Sequence, residues 1–183
     1  EFSHSNTAFI IVVYGKNLSD SSTLRSLRRY RNLLSSASIL IWNNGPTGIT
    51  EACHEFLEPL RAVVPVMLFE CLENRPLSWI YNDGISRLPA KAFIILDDDT
   101  HLTADYLRWS LSSTAYISVP ILISAGHEVS PRVAGTFQTP PYKTMANVIA
   151  AGSGVRISHT AARLLQSAFG NVFDERFALY GAD

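Results

Sequence analysis

The sequence predicts an α/β domain, with a central, mostly parallel sheet flanked by helices. Three observations predict it. Short apolar, β-branched runs recur through the first two thirds of the chain: AFIIVVY, SILIW, VPVMLF and AFIIL. Segments with apolar residues three and four apart lie between them, the spacing of an amphipathic helix. Polar or acidic residues close each apolar run. Such alternation implies βαβ units, and runs without polar alternation suit strands buried on both faces.

The elements follow in order. Ala8–Tyr14 is the first strand, ended by Gly15. Ser22–Leu34 is a helix, with Leu24, Leu27, Tyr30 and Leu34 on one face and Ser21 or Ser22 as its cap. Ser38–Trp42 is the second strand, closed by the turn residues Asn43-Asn44-Gly45-Pro46. A helix over Thr50–Arg61 precedes a third strand, Val64–Phe69, whose first residues Pro65 weakens. A helix over Ser78–Arg87 leads to a fourth strand, Ala92–Leu96, and the cluster Asp97-Asp98-Asp99 follows at once. Thr103–Ser113 is a helix, and Tyr116–Ser124 a fifth strand made irregular by Pro120. Residues 126–147 are loop-rich and placed to cover the cleft; Val148–Arg156 is short and interrupted by glycine. His159–Phe169 is the last predicted helix.

Composition narrows the function. Fifteen Lys+Arg against 16 Asp+Glu give a net charge of −1, which argues against binding nucleic acid through phosphate contacts. No apolar run reaches the roughly 18 residues of a membrane span. Cys53 and Cys71 lack CxxC spacing and read as free thiols of a reducing compartment. Residues 1–183 read as one domain, of which the opening residues 1–7 are a tail. The four arginines Arg25, Arg28, Arg29 and Arg31 read first as a solvated face, with contact to anionic lipid or a partner as the other reading.

The strongest chemical signal is FIILDDDTHL, residues 93–102. Three adjacent carboxylates at a strand end repel one another unless something positive binds there. A hard divalent cation, Mg²⁺ or Mn²⁺, with a nucleoside diphosphate fits that need. Backbone alternation sends Asp97 and Asp99 to one side, toward the cleft, and Asp98 to the other, toward the backbone or a neighbouring element. In open α/β sheets ligands bind beyond the carboxyl ends of the strands. That rule puts Gly15, Asn43-Asn44, Glu70 and Asp97–Asp99 along one edge, converging on one cleft. A cap for the following helix, or the start of a haloacid-dehalogenase-type phosphatase motif, are other readings of the acidic run; His101 stands at that motif's fifth position.

Four segments, in order, carry a wider resemblance: IIVVYGK, ILIWNNGPTG, ENRPLSWIYNDGIS with AFIILDDDTHL, and GNVFDERFALYGAD. Together they resemble a family 2 glycosyltransferase, which implies a Rossmann-like GT-A fold and transfer of a sugar from a nucleotide-sugar. The resemblance implies that the first strand ends at the nucleotide site, where Tyr14 stands. It implies that Asn43, in place of the family's Asp, contacts the uracil or thymine ring. Asn82 matches the asparagine of the family's R-N-x-G-I segment, with Tyr81 in place of the arginine. Asp97 matches the ribose contact, Asp98 belongs to the same nucleotide-sugar-binding run, and Asp99 matches the metal ligand for Mn²⁺ or Mg²⁺. Asp183 matches the general base, with Ala182 where the family has Glu; Asp174 and Glu175 are competing bases. The expected partners are a UDP- or dTDP-sugar donor and a saccharide or lipid-linked acceptor. The expected setting is cytoplasmic, with peripheral association with the inner face of a membrane left open, in surface polysaccharide synthesis. A second reading is a non-catalytic nucleotide-sugar-binding module. Because family members continue past the base, the chain is expected to be the nucleotide-binding core of something longer.

Overall fold

The computed structural model describes residues 6–133 and 148–176. Four strands form the heart of the sheet: β1 Thr7–Val13, β2 Ala37–Asn43, β3 Val66–Glu70 and β4 Ala92–Asp97. They are parallel, because each is followed by a helix that returns the chain to the same edge: α1 Ser22–Arg29, α2 Glu51–Arg61, α3 Leu77–Arg87 and α4 Ala104–Ser112. The pattern then breaks into short strands: β5 Ile117–Ser118, β6 Leu122–Ser124, β7 His127–Ser130, β8 Arg132–Val133, β9 Val148–Ile149 and β10 Val155–Ser158. Helix α5, His159–Phe169, follows. The main sheet has the order β3-β2-β1-β4-β10-β5, while β6–β7 and β8–β9 are two-stranded ribbons.

The sheet is covered on both faces, as the apolar runs predict. Phe9, Ile11, Val13, Ile39, Ile41, Ile94 and Leu96 pack with Leu24, Leu27, Leu57, Leu60 and Leu107 of α1, α2 and α4. Ala8, Ile10, Val12, Leu40, Trp42, Phe93 and Ile95 pack with Ile80, Tyr81 and Ile85 of α3 and Ala161 and Ala162 of α5. Each fully buried Val, Leu, Ile or Phe among them contributes roughly 1.5–3 kcal/mol.

The structure refines three expectations. Helix α1 stops at Arg29, and a separate 3₁₀ turn covers Arg31–Leu33. Pro65 stays outside β3, where its missing N–H costs no ladder bond, while its carbonyl accepts from the Ile39 N–H. The single strand expected over Tyr116–Ser124 is two pieces flanking Pro120. One element is a correction: Val155–Ser158 enters the main sheet as β10, antiparallel to β4 and β5, so the sheet is mixed. Arg156 explains how a charged residue sits in that strand. Its buried guanidinium donates to the carbonyls of Ser110, at the end of α4, and Ala115.

Candidate nucleotide-sugar site

All four parallel strands deliver polar residues to their carboxyl edge. Register places Val13 beside Asn43, Asn43 beside Glu70, and Val12 beside Asp97. The expected edge is therefore present. The expected sharing of one cleft by Asn43 and Asp97 needs correction. Asn43 continues the Ile39–Ile41 row on the α1/α2 face, whereas Asp97 continues the Phe93–Ile95 row on the α3 face. Register, offset by one residue across β1, puts the two side chains on opposite faces.

The turn after β4 is held from below by polar side chains. Ser21 caps α1 by accepting from the Leu24 N–H at 3.1 Å, and its hydroxyl donates to the Asp98 carbonyl at 2.7 Å. The buried Thr23 hydroxyl donates to the Asp97 carbonyl and accepts from the Thr100 N–H at 3.1 Å. The Asp97 N–H donates to Ser153 Oγ at 3.1 Å, and Ser153 and Thr100 hydroxyls meet at 2.6 Å. Helix α1 and the loop before β10 thus fix the backbone that carries the three carboxylates.

The carboxylates have three different environments. Asp97 is half-buried and accepts a long contact from the buried Tyr81 hydroxyl, at 3.5 Å. Its carboxyl is held above the ordinary carboxylate range, first by burial and then by the charges of Asp99 and Asp98. Burial, with the Asp97 charge beside it, also pushes the Tyr81 hydroxyl far up, so it remains a donor. Asp98 Oδ1 lies 2.7 Å from Lys16 Nζ, and Oδ2 accepts from the Tyr14 N–H at 3.1 Å. Asp98 therefore serves the loop after β1. Asp99 is exposed and has no hydrogen-bond or ion-pair partner among the described residues. Among the described residues, no group of three or more His, Cys, Asp or Glu side chains converges as a metal-holding set.

The other expected site residues are placed as follows. Tyr14 is 46% exposed at the end of β1. Asn43 is buried; its amide donates to the Thr47 carbonyl at 2.8 Å and to Glu70 Oε2 at 3.0 Å, and its Oδ1 accepts from the Gly45 N–H at 3.3 Å. Asn44, also buried, ties the same turn to the loop before α3: it donates to Asn74 Oδ1 and the Arg75 carbonyl and accepts from the Arg75 N–H at 2.8 Å. Asn82 donates to the Phe173 carbonyl and Glu175 Oε1, both at 2.9 Å, and accepts from the Phe173 N–H at 3.0 Å. Asp174 is paired with Arg176, whose side-chain and backbone hydrogen bonds hold its carboxyl down at about 2. Asp183 lies outside the described residues. Lys16, Thr23 and Ser153 are the participants that sequence reasoning passed over. Lys16 sits in the quoted YGK run, so its place after a strand ending at the site was the available signal.

No family model matches the chain. No curated protein is significantly similar to it. Solved structures are similar in fold. The structure of S. aureus TarS 1–349 superposes with a TM-score of 0.64 at 14% identity, over 89% of this chain and 49% of that one. A longer S. aureus TarS superposes with a TM-score of 0.59 at 13% identity, over 94% of this chain and 31% of that one. The chain thus spans half or less of the TarS chains it resembles. It shares the fold of these TarS structures.

Proposed function

We propose that the carboxyl edge binds a nucleotide-sugar and that the domain is of GT-A type, transferring the sugar with inversion to an acceptor hydroxyl. One observation carries the reading. At a strand end of a TarS-like fold, Asp99, which has no hydrogen-bond or ion-pair partner among the described residues, stands beside an Asp97 whose ionisation burial and like charge oppose. Two carboxylates so placed suit a divalent cation brought in with phosphate oxygens. The donor set is hard oxygen, which fits Mn²⁺ or Mg²⁺, with Asp99 as direct ligand and Asp97 beside it. Such an ion would supply positive charge to offset that growing on the departing diphosphate.

The chain's own residues supply the rest. Thr23, Ser21 and Ser153 hold the acidic turn so that the carboxylates need not reorganise on binding. Tyr14 offers an exposed ring at the end of β1 for a base or sugar. Asn43 orders the turn that would border the base, since its amide is already bonded within that turn. Asp183 is the proposed base that removes the acceptor proton. UDP or dTDP is the proposed nucleotide, a saccharide or lipid-linked alcohol the acceptor. Surface polysaccharide synthesis on the cytoplasmic side of a membrane is the proposed setting.

A non-catalytic nucleotide-sugar-binding module is the second reading. It is favoured by the FDE stretch, where pairing with Arg176 holds the Asp174 carboxyl low and so makes it a weak base. A thermal-shift panel of UDP, dTDP, GDP and CDP, with and without Mn²⁺, tests binding. Stabilisation by UDP or dTDP that requires Mn²⁺ supports the site; no response to any nucleotide overturns it. Release of UDP or dTDP from the sugar donor, with candidate acceptors present, separates the enzyme from the binding module.

A further inference from the structure

One cation at this edge has no place in the donor-site reading. Lys16 lies in the loop between β1 and α1, and its side chain is 32% exposed. Its Nζ is 2.7 Å from Asp98 Oδ1, while the Tyr14 N–H occupies Oδ2. Both oxygens of the middle carboxylate are thus engaged, and its side chain is only 14% exposed. The Asp98 carbonyl is bonded as well, to the Ser21 hydroxyl and the Thr23 N–H, so the residue is held by main chain and side chain together. Three ionised carboxylates in a row would attract a divalent ion by themselves. With Asp98 taken, two remain.

We propose that Lys16 is a resident counter-cation and positioning residue that withholds Asp98 from the divalent ion. The ion is then retained only together with the diphosphate of the donor. The inference rests on the donor-site reading and concerns how that site is regulated. Its physical basis is electrostatic. An ammonium within several ångströms of a bound divalent ion repels it, and it also neutralises one charge that would attract it. Both effects oppose the ion alone. Phosphate oxygens reverse the balance, because they add negative charge that Lys16 and the ion can share. Ion and nucleotide then bind with positive coupling, and that coupling is reciprocal.

The test titrates Mn²⁺ alone into the full chain, following free ion by electron paramagnetic resonance. The wild type is compared with Lys16→Gln, Lys16→Met, Lys16→Arg and the double variant Lys16→Gln/Asp98→Asn. Loss of the Lys16 charge is expected to tighten Mn²⁺ binding without nucleotide by roughly tenfold, the size expected for one unit charge near a partly exposed ion. Lys16→Arg should behave as wild type, and the double variant should lose the gain. Added UDP should then enhance Mn²⁺ affinity less in Lys16→Gln than in the wild type. Unchanged or weaker Mn²⁺ binding in folded Lys16→Gln and Lys16→Met would overturn the proposal, as would a gain that survives Asp98→Asn. Failure of the donor site itself reads out separately, as absence of UDP and dTDP binding to the wild type with Mn²⁺.

Discussion

Asn82 and Phe173 exchange two hydrogen bonds across 91 residues of sequence. Asn82 Nδ2 donates to the Phe173 carbonyl at 2.9 Å, and the Phe173 N–H donates to Asn82 Oδ1 at 3.0 Å. The primary amide imitates a peptide group and pins the stretch after α5 onto α3. The Phe173 ring packs on Tyr81, with centroids 5.2 Å apart, and the Tyr81 hydroxyl points to Asp97. The stretch that the family resemblance assigns to the acceptor side is thereby mechanically linked to the acidic turn.

Asn82→Ala should therefore loosen residues 171–176. It strips the partners from a peptide group and from Glu175, a loss of about 1–3 kcal/mol for groups left unsatisfied. Hydrogen exchange should show the Phe173 amide losing protection while the amides of β1 keep theirs. Retained protection at Phe173 would mean that packing on Tyr81, not the amide, holds the stretch.

Asp97 gives a pH-dependent prediction. Burial, Asp99 and Asp98 raise its carboxyl above the ordinary range, with the Tyr81 hydroxyl acting in the opposite direction. The folded state then holds that proton more tightly than the unfolded state does. This contribution to stability is present at low pH and is lost as pH rises from the ordinary carboxylate value through the folded-state pKa. Asp97→Asn should melt above the wild type at neutral pH without metal, and the difference should shrink below about pH 3.9, the ordinary aspartate value. Melting curves across that range check both the sign and the window.

Asp99→Asn should remove the Mn²⁺-dependent part of nucleotide stabilisation, which for a binder reaches about 2.7 kcal/mol at a hundredfold excess over Kd. The free variant should melt close to the wild type, since Asp99 makes no hydrogen bond or ion pair among the described residues. Asp98→Asn should behave in the reverse manner. It should cost basal stability by weakening the Lys16 and Tyr14 contacts, and should leave most of the Mn²⁺ response. Equal loss of the Mn²⁺ response in the two variants would count against the distinct roles assigned to these neighbours.

Gly45 is required by both conformation and space. Its φ is +85°, and a Cβ there would stand 2.8 Å from the Leu72 carbonyl oxygen and 2.9 Å from its Cα. Backbone cannot yield as a flexible side chain does. Gly45→Ala should cost about 2–5 kcal/mol, the sum of left-handed strain and overpacking. Urea unfolding should show a lower midpoint at unchanged slope, and the turn carrying Asn43 and Asn44 should be where the damage lies.

The alternation of strands and helices, the burial of the parallel strands on both faces, and the arrival of Asp97–Asp99 at a strand end were legible in the sequence. These are local properties: apolar runs, helical spacing and caps such as Ser21 act within a few residues. Strand alternation does not reach Asp98 and Asp99, because β4 ends at Asp97 and the two lie in the turn after it. What each polar group touches was set by long-range packing. Lys16 finds Asp98 across 82 residues, and Thr23 and Ser153 reach the acidic turn across 74 and 56. Asn43, Asn44 and Asn82 read as site or turn residues in sequence, yet their partners are Glu70, Arg75 and Phe173, brought near by separate crossovers. The opposite facing of Asn43 and Asp97 was likewise set by register, since a one-residue offset between neighbouring strands reverses a side chain's face. The antiparallel entry of β10 was illegible for the same reason. Four residues preceded by glycines carry too little periodicity to declare a strand until β4 and β5 supply its hydrogen bonds.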